Sequence, residues 1–280
     1  MTRIGFVGAG KVGTAFGSYL KDNGLCISGY YDAVEGMADD AARRTSSAVY
    51  PTMALLLADS DMVFLTVPDD RIVTVWEHCR RLPIAGKCFF HCSGALGSEV
   101  FAGSADAAVS VGSAHPVCAV NSRDSKNVFS GKFFVLEGDP TGIEMLKSLM
   151  TKTGNNYRVI EQADKARYHA AAVASSNLFC ALAQMSEDWL LSCGFDTVTA
   201  HEILTPLMTG NVENIAEHGC LDALTGPVER GDTGTVVRHL NVLEGNDREI
   251  YRLLSMRLLT LAQEKHPDKD YTNLKEVLKR

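Results

Sequence analysis

The chain begins with Ile4-Gly5-Phe6-Val7-Gly8-Ala9-Gly10-Lys11-Val12-Gly13, an apolar run that leads directly into a G-x-G-x-x-G spacing. No other stretch constrains the backbone as strongly. Read as strand, turn and helix, Gly8 permits the tight turn, Gly10 lets the main chain approach a pyrophosphate, and Gly13 lets the helix pack closely on the strand. The helix N-terminus then offers free N–H groups to phosphate oxygens. Gly17, one turn on, extends the close contact. Gly8, Ala9, Gly10, Lys11, Val12 and Gly13 are therefore expected to bind a dinucleotide. Asp32 closes the next β-rich run. An acidic side chain there accepts hydrogen bonds from both hydroxyls of an adenosine ribose and repels a 2′-phosphate, which favours NAD over NADP.

Downstream, short β-rich runs alternate with stretches of helical spacing. Strands are expected at residues 4–7, 26–31, 61–67, 87–92, 107–113, 132–136 and 157–160, with a short one at 48–50. Helices are expected at 11–23, 34–44, 53–58 and 71–79. Such alternation predicts βαβ units and a mostly parallel, doubly wound sheet. Beyond residue 160 the composition changes. The part before it holds 17 of the 24 glycines with 15 basic and 16 acidic residues, and the part after it holds 7 glycines with 12 basic and 18 acidic. Gln162 to Ser192 contains no Gly or Pro and is expected to form one long helix ended by Gly194. Further helices are expected at 198–218, 233–243, 247–264 and 273–279. The expectation is an α/β nucleotide-binding domain over 1–160 and an all-α domain over 161–280.

Composition excludes several classes. With 280 residues, 46% hydrophobic and 22% charged, the chain has ample material for a core and is not a disordered one. A net charge of −7 argues against nucleic acid as a partner. No basic segment precedes an apolar one as in a secretory signal, and the most apolar stretch, Ala170 to Met185, is too short and too polar to span a membrane. The eight cysteines form no C-x-x-C pair and read as reduced thiols of a cytoplasmic protein. Cys220 lacks a spaced set of His or Cys around it, so no metal is expected.

Ligands bind at strand carboxyl ends in such sheets, which singles out two further loops. Thr66-Val67-Pro68-Asp69-Asp70 follows the fourth strand and His91-Cys92-Ser93-Gly94-Ala95 the fifth. Val67, Pro68, Asp69, Ser93 and Gly94 are expected to face the cofactor, and the Ser93 hydroxyl could equally contact substrate. His115 precedes Pro116 at the end of another strand and is open between a satisfied structural imidazole and a substrate contact. In the expected long helix, His169 lies about 40° around the axis from Lys165, and Ser176 about 20°. Lys165, His169 and Ser176 then form a polar stripe beside small residues, a candidate catalytic face. A third segment, Leu224 to Leu240, gathers Gly226-Pro227 as a turn and Asp232 as a helix N-cap.

Taken together, the Gly8–Gly13 loop, Val67-Pro68-Asp69, His91-Cys92-Ser93-Gly94, His115-Pro116, Lys165-x-x-x-His169 and Thr225-Gly-Pro-x-x-Arg230-Gly-Asp resemble Rossmann-like proteins with a C-terminal DUF2520 domain. That family is similar to the 6-phosphogluconate dehydrogenase, ketopantoate reductase and pyrroline-5-carboxylate reductase group. The resemblance implies an NAD(P)-dependent oxidoreductase. In the related dehydrogenases a Lys, with Asn one turn later, serves in acid–base chemistry and substrate orientation. Lys165 matches that Lys, and His169 stands where those enzymes carry Asn. Many relatives suit NADP, from which Asp32 departs. The resemblance also supports a homodimer formed through the helical half.

Three functions follow. The first is hydride transfer between a nicotinamide and a small carbonyl, imine or alcohol substrate, with Lys165, His169, Ser93, His115 and Ser176 as the catalytic set. The second is a non-catalytic dinucleotide-binding protein such as a redox sensor. The third places S-adenosylmethionine in the same glycine loop.

Overall fold

The computed structural model describes residues 2–279. They fall into two compact units that divide between Ser175 and Ser176, beyond the compositional boundary at residue 160. The first unit runs β1 (Arg3–Val7), α1 (Lys11–Asp22), β2 (Cys26–Tyr31), α2 (Met37–Thr45), β3 (Ala48–Val49), α3 (Met53–Ala58), β4 (Met62–Leu65), α4 (Asp69–Cys79), β5 (Cys88–His91), β6 (Ser110–Pro116), β7 (Phe134–Gly138), α5 (Pro140–Thr153), β8 (Tyr157–Val159) and α6 (Lys165–Ala174). The strands form one sheet in the order β3-β2-β1-β4-β5-β6-β7-β8. All neighbours are parallel except β6 and β7, which are antiparallel.

β4 and β5 are buried at every residue, as expected of central parallel strands covered on both faces. Alternation along the strands divides the core in two. Phe6, Phe64 and Phe90 lie on one face with Tyr30, their rings in a row at centroid spacings of 5.1 to 5.6 Å. Val63, Leu65, Phe89 and Val111 pack on the other face around Trp76. Gly17 settles how near α1 lies to the first face. A Cβ there would sit 1.8 Å from the Tyr30 hydroxyl, so only glycine lets the helix lie across that ring.

Two features differ from the sequence reading. α5 is a full helix between β7 and β8 where no helix was assigned. Asp139 caps it, its Oδ1 accepting from the Gly142 N–H at 2.8 Å, and Pro140 opens its first turn. The expected single helix from Gln162 to Ser192 is broken. A short 3₁₀ turn at Gln162–Asp164 leads into α6, which stops at Ala174, and α7 (Asn177–Ser192) starts anew after Ser176 in a non-helical conformation. Ser175 turns its hydroxyl back on the Ala171 carbonyl at 3.1 Å, and the run Ser175-Ser176-Asn177 offers side chains that compete with the main chain.

The second unit is helical: α7, α8 (Thr197–Ala223), α9 (Thr233–Val242), α10 (Gly245–Lys265) and α11 (Thr272–Lys279). Helical backbone in α8 is interrupted at Gly219, φ +78°, just after the expected end at 218. Asp232 caps α9 as expected, its Oδ1 accepting from the Thr235 N–H at 3.0 Å. The core here is small, built from Leu224, Val228, Val236, Leu240, Leu259, Ala262, Tyr271, Leu274 and Leu278. No residue of α7 is buried, and only Ala200 and Ala223 of α8 are.

Asp139 joins two elements, since its Oδ2 also accepts from the Val111 N–H of β6 at 2.5 Å. Asp139→Ala removes a helix cap and orphans a strand N–H, so it should lower unfolding free energy by about 2–3 kcal/mol in urea titrations. Asp139→Asn keeps an acceptor for one of the two N–H groups and should lose less.

Candidate active site

The carboxyl end of β1 feeds the glycine turn. Gly8 sits at φ +102°, and a Cβ on it would meet the Thr66 main chain at 2.8 Å. Gly13 is pressed on the same point from the helix side, where a Cβ would lie 2.4 Å from the Gly8 carbonyl oxygen and from Thr66 Oγ1. Thr66 Oγ1 donates to that carbonyl at 2.7 Å. Gly10 is different, for a Cβ there would meet nothing within 4 Å. It is the N-cap of α1, and no side chain caps the helix. An open glycine beside an uncapped helix N-terminus fits a diphosphate, which needs close backbone approach and unpaired N–H groups. Lys11 is exposed and Val12 half-buried at the start of the same helix.

Asp32 closes β2 as expected, but its carboxylate is committed to main chain. Oδ2 accepts from the Ala9 N–H at 2.7 Å and Oδ1 from the Val34 N–H at 2.9 Å. The residue thereby holds the glycine turn against the end of β2.

The strand register carries the rim across the sheet. Val7 pairs with Leu65, Leu65 with His91, His91 with Ser113, and Ser113 with Glu137. After Leu65 the chain turns through Thr66, Val67 and Pro68 into α4, whose first residue, Asp69, accepts from Ser93 Oγ at 2.6 Å. Ser93 Oγ also accepts from the Ala95 and Leu96 N–H groups at 3.2 and 3.0 Å. Its hydroxyl therefore shapes the turn after β5, where a free substrate or cofactor contact was expected. His91 is fully buried. Its Nδ1 accepts from the Ser93 N–H and its Nε2 faces the Gly97 carbonyl, which selects the neutral imidazole, and burial pushes its pKa down to about 4.

Gly94 brings the histidines together. A Cβ there would lie 2.6 Å from His169 Cδ2 and 2.7 Å from His115 Nε2, so both rings rest on a position where any other residue would displace them. The two rings stand edge to face at 6.1 Å between centroids. His115 Nδ1 is 2.5 Å from the Tyr168 hydroxyl. Burial, reinforced by the nearby Lys165 charge, pushes His115 down to about 4, while burial pushes Tyr168 up to about 12. The Tyr168 O–H is accordingly the donor in this bond, with Nδ1 accepting.

Lys165 is the first residue of α6 and is only 2% exposed. Its Nζ donates to Ser113 Oγ at 2.6 Å. Burial pulls its pKa down to about 8, against the raising influence of Glu137 first among the neighbouring groups. Asp69, Ser93, Gly94, His115, Lys165 and His169 are thus gathered at the strand ends of one unit, and Lys165 and His169 share a face of α6. Ser176 is not part of that face. It lies past the helix break, at the start of the second unit, and its Oγ donates to Asn177 Oδ1 at 3.1 Å. The expected stripe of three is corrected to two, because the angle computed for Ser176 assumed continuous helix. Among the described residues no three of His, Cys, Asp or Glu gather to hold a metal.

Sequence reasoning did not single out Thr66, Ser113, Glu137 or Tyr168. Tyr168, three residues after Lys165 in a run already under suspicion, was accessible to a helical-face argument. Ser113 and Glu137 emerge only from the pairing of β6 with β7.

A family model described as a Rossmann-like domain matches residues 1–116, and one described as a domain of unknown function, DUF2520, matches residues 132–258. The second match starts inside the sheet and takes in β7, α5, β8 and α6. No curated protein matches the chain. Among solved structures, protein TM1727 from Thermotoga maritima is similar with a TM-score of 0.77 and 27% identity, over 94% of this chain and 99% of that one. Protein BF3122 from Bacteroides fragilis, described as a candidate NADP oxidoreductase, gives 0.67 and 20% over 92% and 98%. The pyrroline carboxylate reductase of Plasmodium falciparum, solved with NADP bound, gives 0.56 and 12% over 94% and 96%. The last two likenesses are of fold. The chain is a Rossmann-like protein that carries a DUF2520 domain.

Proposed function

We propose that this chain is a nicotinamide-dinucleotide-dependent oxidoreductase acting on a small carbonyl, imine or alcohol, with Lys165 as proton donor in the reducing direction. The observation that carries the reading is a buried ammonium beside two histidines, on the rim of strand ends that also holds an open glycine turn. Burying a lysine costs roughly several kcal/mol unless it is well paired, and a passive nucleotide-binding protein has no use for one at this place. The relatives named above for NADP support the same reaction class.

The dinucleotide supplies the hydride when bound. Gly10 and the first turn of α1 would hold its diphosphate, and Gly8, Gly13 and Asp32 keep that turn in shape. As a carbon accepts hydride, its oxygen or nitrogen needs a proton, and Lys165 would give one from Nζ. His115, neutral at pH 7 and held by Tyr168, would orient the substrate together with His169. Ser93 would serve by fixing the turn that carries Gly94. The NAD preference expected from Asp32 has no support among the relatives, and both carboxylate oxygens already accept main-chain N–H groups. The reading therefore includes NADPH. It also includes a homodimer through the helical unit, where Val198 is 69% and Leu207 66% exposed on helices with almost no buried face. Among the described residues no helix is long and apolar enough to cross a membrane and the eight cysteines are unpaired; a cytoplasmic location remains part of the same reading.

Gly10→Val should fold like the wild type, since its side chain enters open space, yet lose the fluorescence enhancement of NAD(P)H on binding. Unchanged binding would remove the glycine turn from the site. In the same titration NADPH should bind no more weakly than NADH, and a tenfold preference for NADH would restore the ribose role of Asp32. Lys165→Met should lower kcat about 10²-fold or more while sparing dinucleotide affinity. Because the ammonium is the acid, wild-type reduction should fall as pH rises through about 8. Near-normal turnover in Lys165→Met would sink the assignment. Light scattering at micromolar protein should give twice the chain mass, and Leu207→Glu should shift it towards the monomer; a monomeric wild type would exclude the dimer.

A further inference from the structure

We propose that Glu137, acting through Ser113, is the buried counter-charge that holds Lys165 as a cation. Lys165 has two handicaps as an ammonium. It is almost wholly removed from water, and it stands at the N-terminus of α6, where the helix dipole opposes positive charge. Among the described residues its Nζ has one hydrogen-bond partner, the neutral hydroxyl of Ser113, which is itself fully buried. A neutral acceptor alone does not compensate a desolvated charge.

Ser113 and Glu137 face each other across the antiparallel pair β6–β7, and Ser113 Oγ lies 3.5 Å from Glu137 Oε2. Glu137 is 3% exposed. Its other partners are also donors: the Ser98 N–H to Oε2 at 2.7 Å and the Ser98 hydroxyl to Oε1 at 2.6 Å. The Ser98 N–H can only donate, and both serine hydroxyls are oriented to donate as well, so three hydrogen bonds converge on the Glu137 carboxylate from inside the protein. The serine hydroxyl accepts from the ammonium and donates towards the carboxylate, so it links two opposite charges that do not touch.

Other titratable groups face Lys165 as well. Asp69 approaches from α4, Glu99 from the turn after β5, His91 and Cys92 from the end of β5, His115 from β6, and His169 from α6 itself. Of the two other carboxylates, Asp69 and Glu99 are both exposed, so water screens them. Glu99 is in addition held by the Gly97 N–H and by Gln162. Among the described residues, Glu137 is the one carboxylate that acts on Lys165 from inside the low-dielectric interior, where a charge reaches further. Glu137 is thus a positioning residue for the proposed proton donor. The inference shares Lys165 with the proposed function, yet the charge arrangement stands or falls without any turnover.

The test is a pH titration of the full chain labelled with [¹³Cε]lysine and read by NMR without dinucleotide or substrate. The resonance missing from Lys165→Met assigns the residue. The wild-type midpoint should lie near 8. Glu137→Gln should move it down by about 1–2 pH units, since loss of the anion disfavours the ammonium. Ser113→Ala should move it down by a smaller amount, and Glu99→Gln by less than about 0.3. An unchanged midpoint in folded Glu137→Gln would overturn the proposal and leave Glu137 as an anchor for the Ser98 turn. If Glu137→Gln does not fold, the Lys165→Met/Glu137→Gln double variant decides. Recovery of the thermal transition supports the pairing, and a double variant as unstable as the single one overturns it. A separate NADPH titration reports on the oxidoreductase reading, so the two failures are distinguishable.

Discussion

Because β1, β4, β5 and β6 run parallel and in register, the residues that close β1, β4 and β5 lie side by side, level with Ser113 midway along the longer β6, and the antiparallel β7 extends that row by one more residue. Val7, Leu65, His91, Ser113 and Glu137 therefore pass from apolar to polar to charged along one line across the sheet. β1 from Ile4 onward, β4 and β5 are apolar up to this line, and β6 continues past it, so polar chemistry enters the sheet where the shorter strands stop. The turns of the candidate site leave from that line, and α6 brings Lys165 and His169 to it. The glycine turn leaves from Val7, the Asp69 turn from Leu65, the Ser93–Gly94 turn from His91, and the partner of Lys165 is Ser113.

Polar groups brought this far from water must be satisfied, and the way each is satisfied separates structure from chemistry. His91 has a main-chain partner on each ring nitrogen. Ser93 has one acceptor and two donors around a single oxygen. Both are complete, and both act by holding the turn after β5. His115 has one nitrogen on Tyr168 and the other against Gly94. Lys165 has three donors and, among the described residues, a single hydrogen-bond partner. The incompletely satisfied groups sit together, which is where a substrate has something to gain by binding.

The legibility of these features in the sequence follows from the range of the forces behind them. The glycine spacing is a local backbone constraint, and Gly8, Gly10, Gly13 and Gly17 occupy the places it predicts. The strands are legible for the same reason, being short apolar runs with local punctuation. α5 carried a readable signal, Asp139-Pro140, but its amphipathic face is modest and it lay outside the alternation already recognised. The break at Ser175–Ser176 was hidden because the run has no Gly or Pro, and only the local competition of serine hydroxyls reveals it. Asp32 was placed correctly and its partners were not, since Ala9 and Val34 reach it only once the turn has closed. Ser113 and Glu137 were out of reach: the residues between β6 and β7 put them opposite each other, and sequence distance carries no trace of that register.

The helical unit presents the opposite problem. α8 to α11 and the Asp232 cap are readable in its sequence, while the start of α7 is not, and the helices do not account for their own composition. α7 and α8 together supply Leu178, Phe179, Val198, Leu207 and Val212, all at least 41% exposed, against a core of nine residues drawn mainly from the segment around α9, α10 and α11. Apolar area left in water is not a neutral feature, because each such side chain forgoes roughly 1.5–3 kcal/mol that burial would provide. A globular unit of this size does not tolerate so continuous a loss along two long helices as isolated chance exposures. The Thr225–Asp232 segment shows what a finished part of the same unit looks like. Tyr271 donates to the Glu229 carbonyl at 2.6 Å, His266 meets the Glu229 carboxylate at 2.5 Å, and Lys265 reaches the Leu224 carbonyl at 2.9 Å. One end of the unit is closed by its own contacts, and the proposed dimer is the arrangement that would cover the apolar side chains left exposed along α7 and α8.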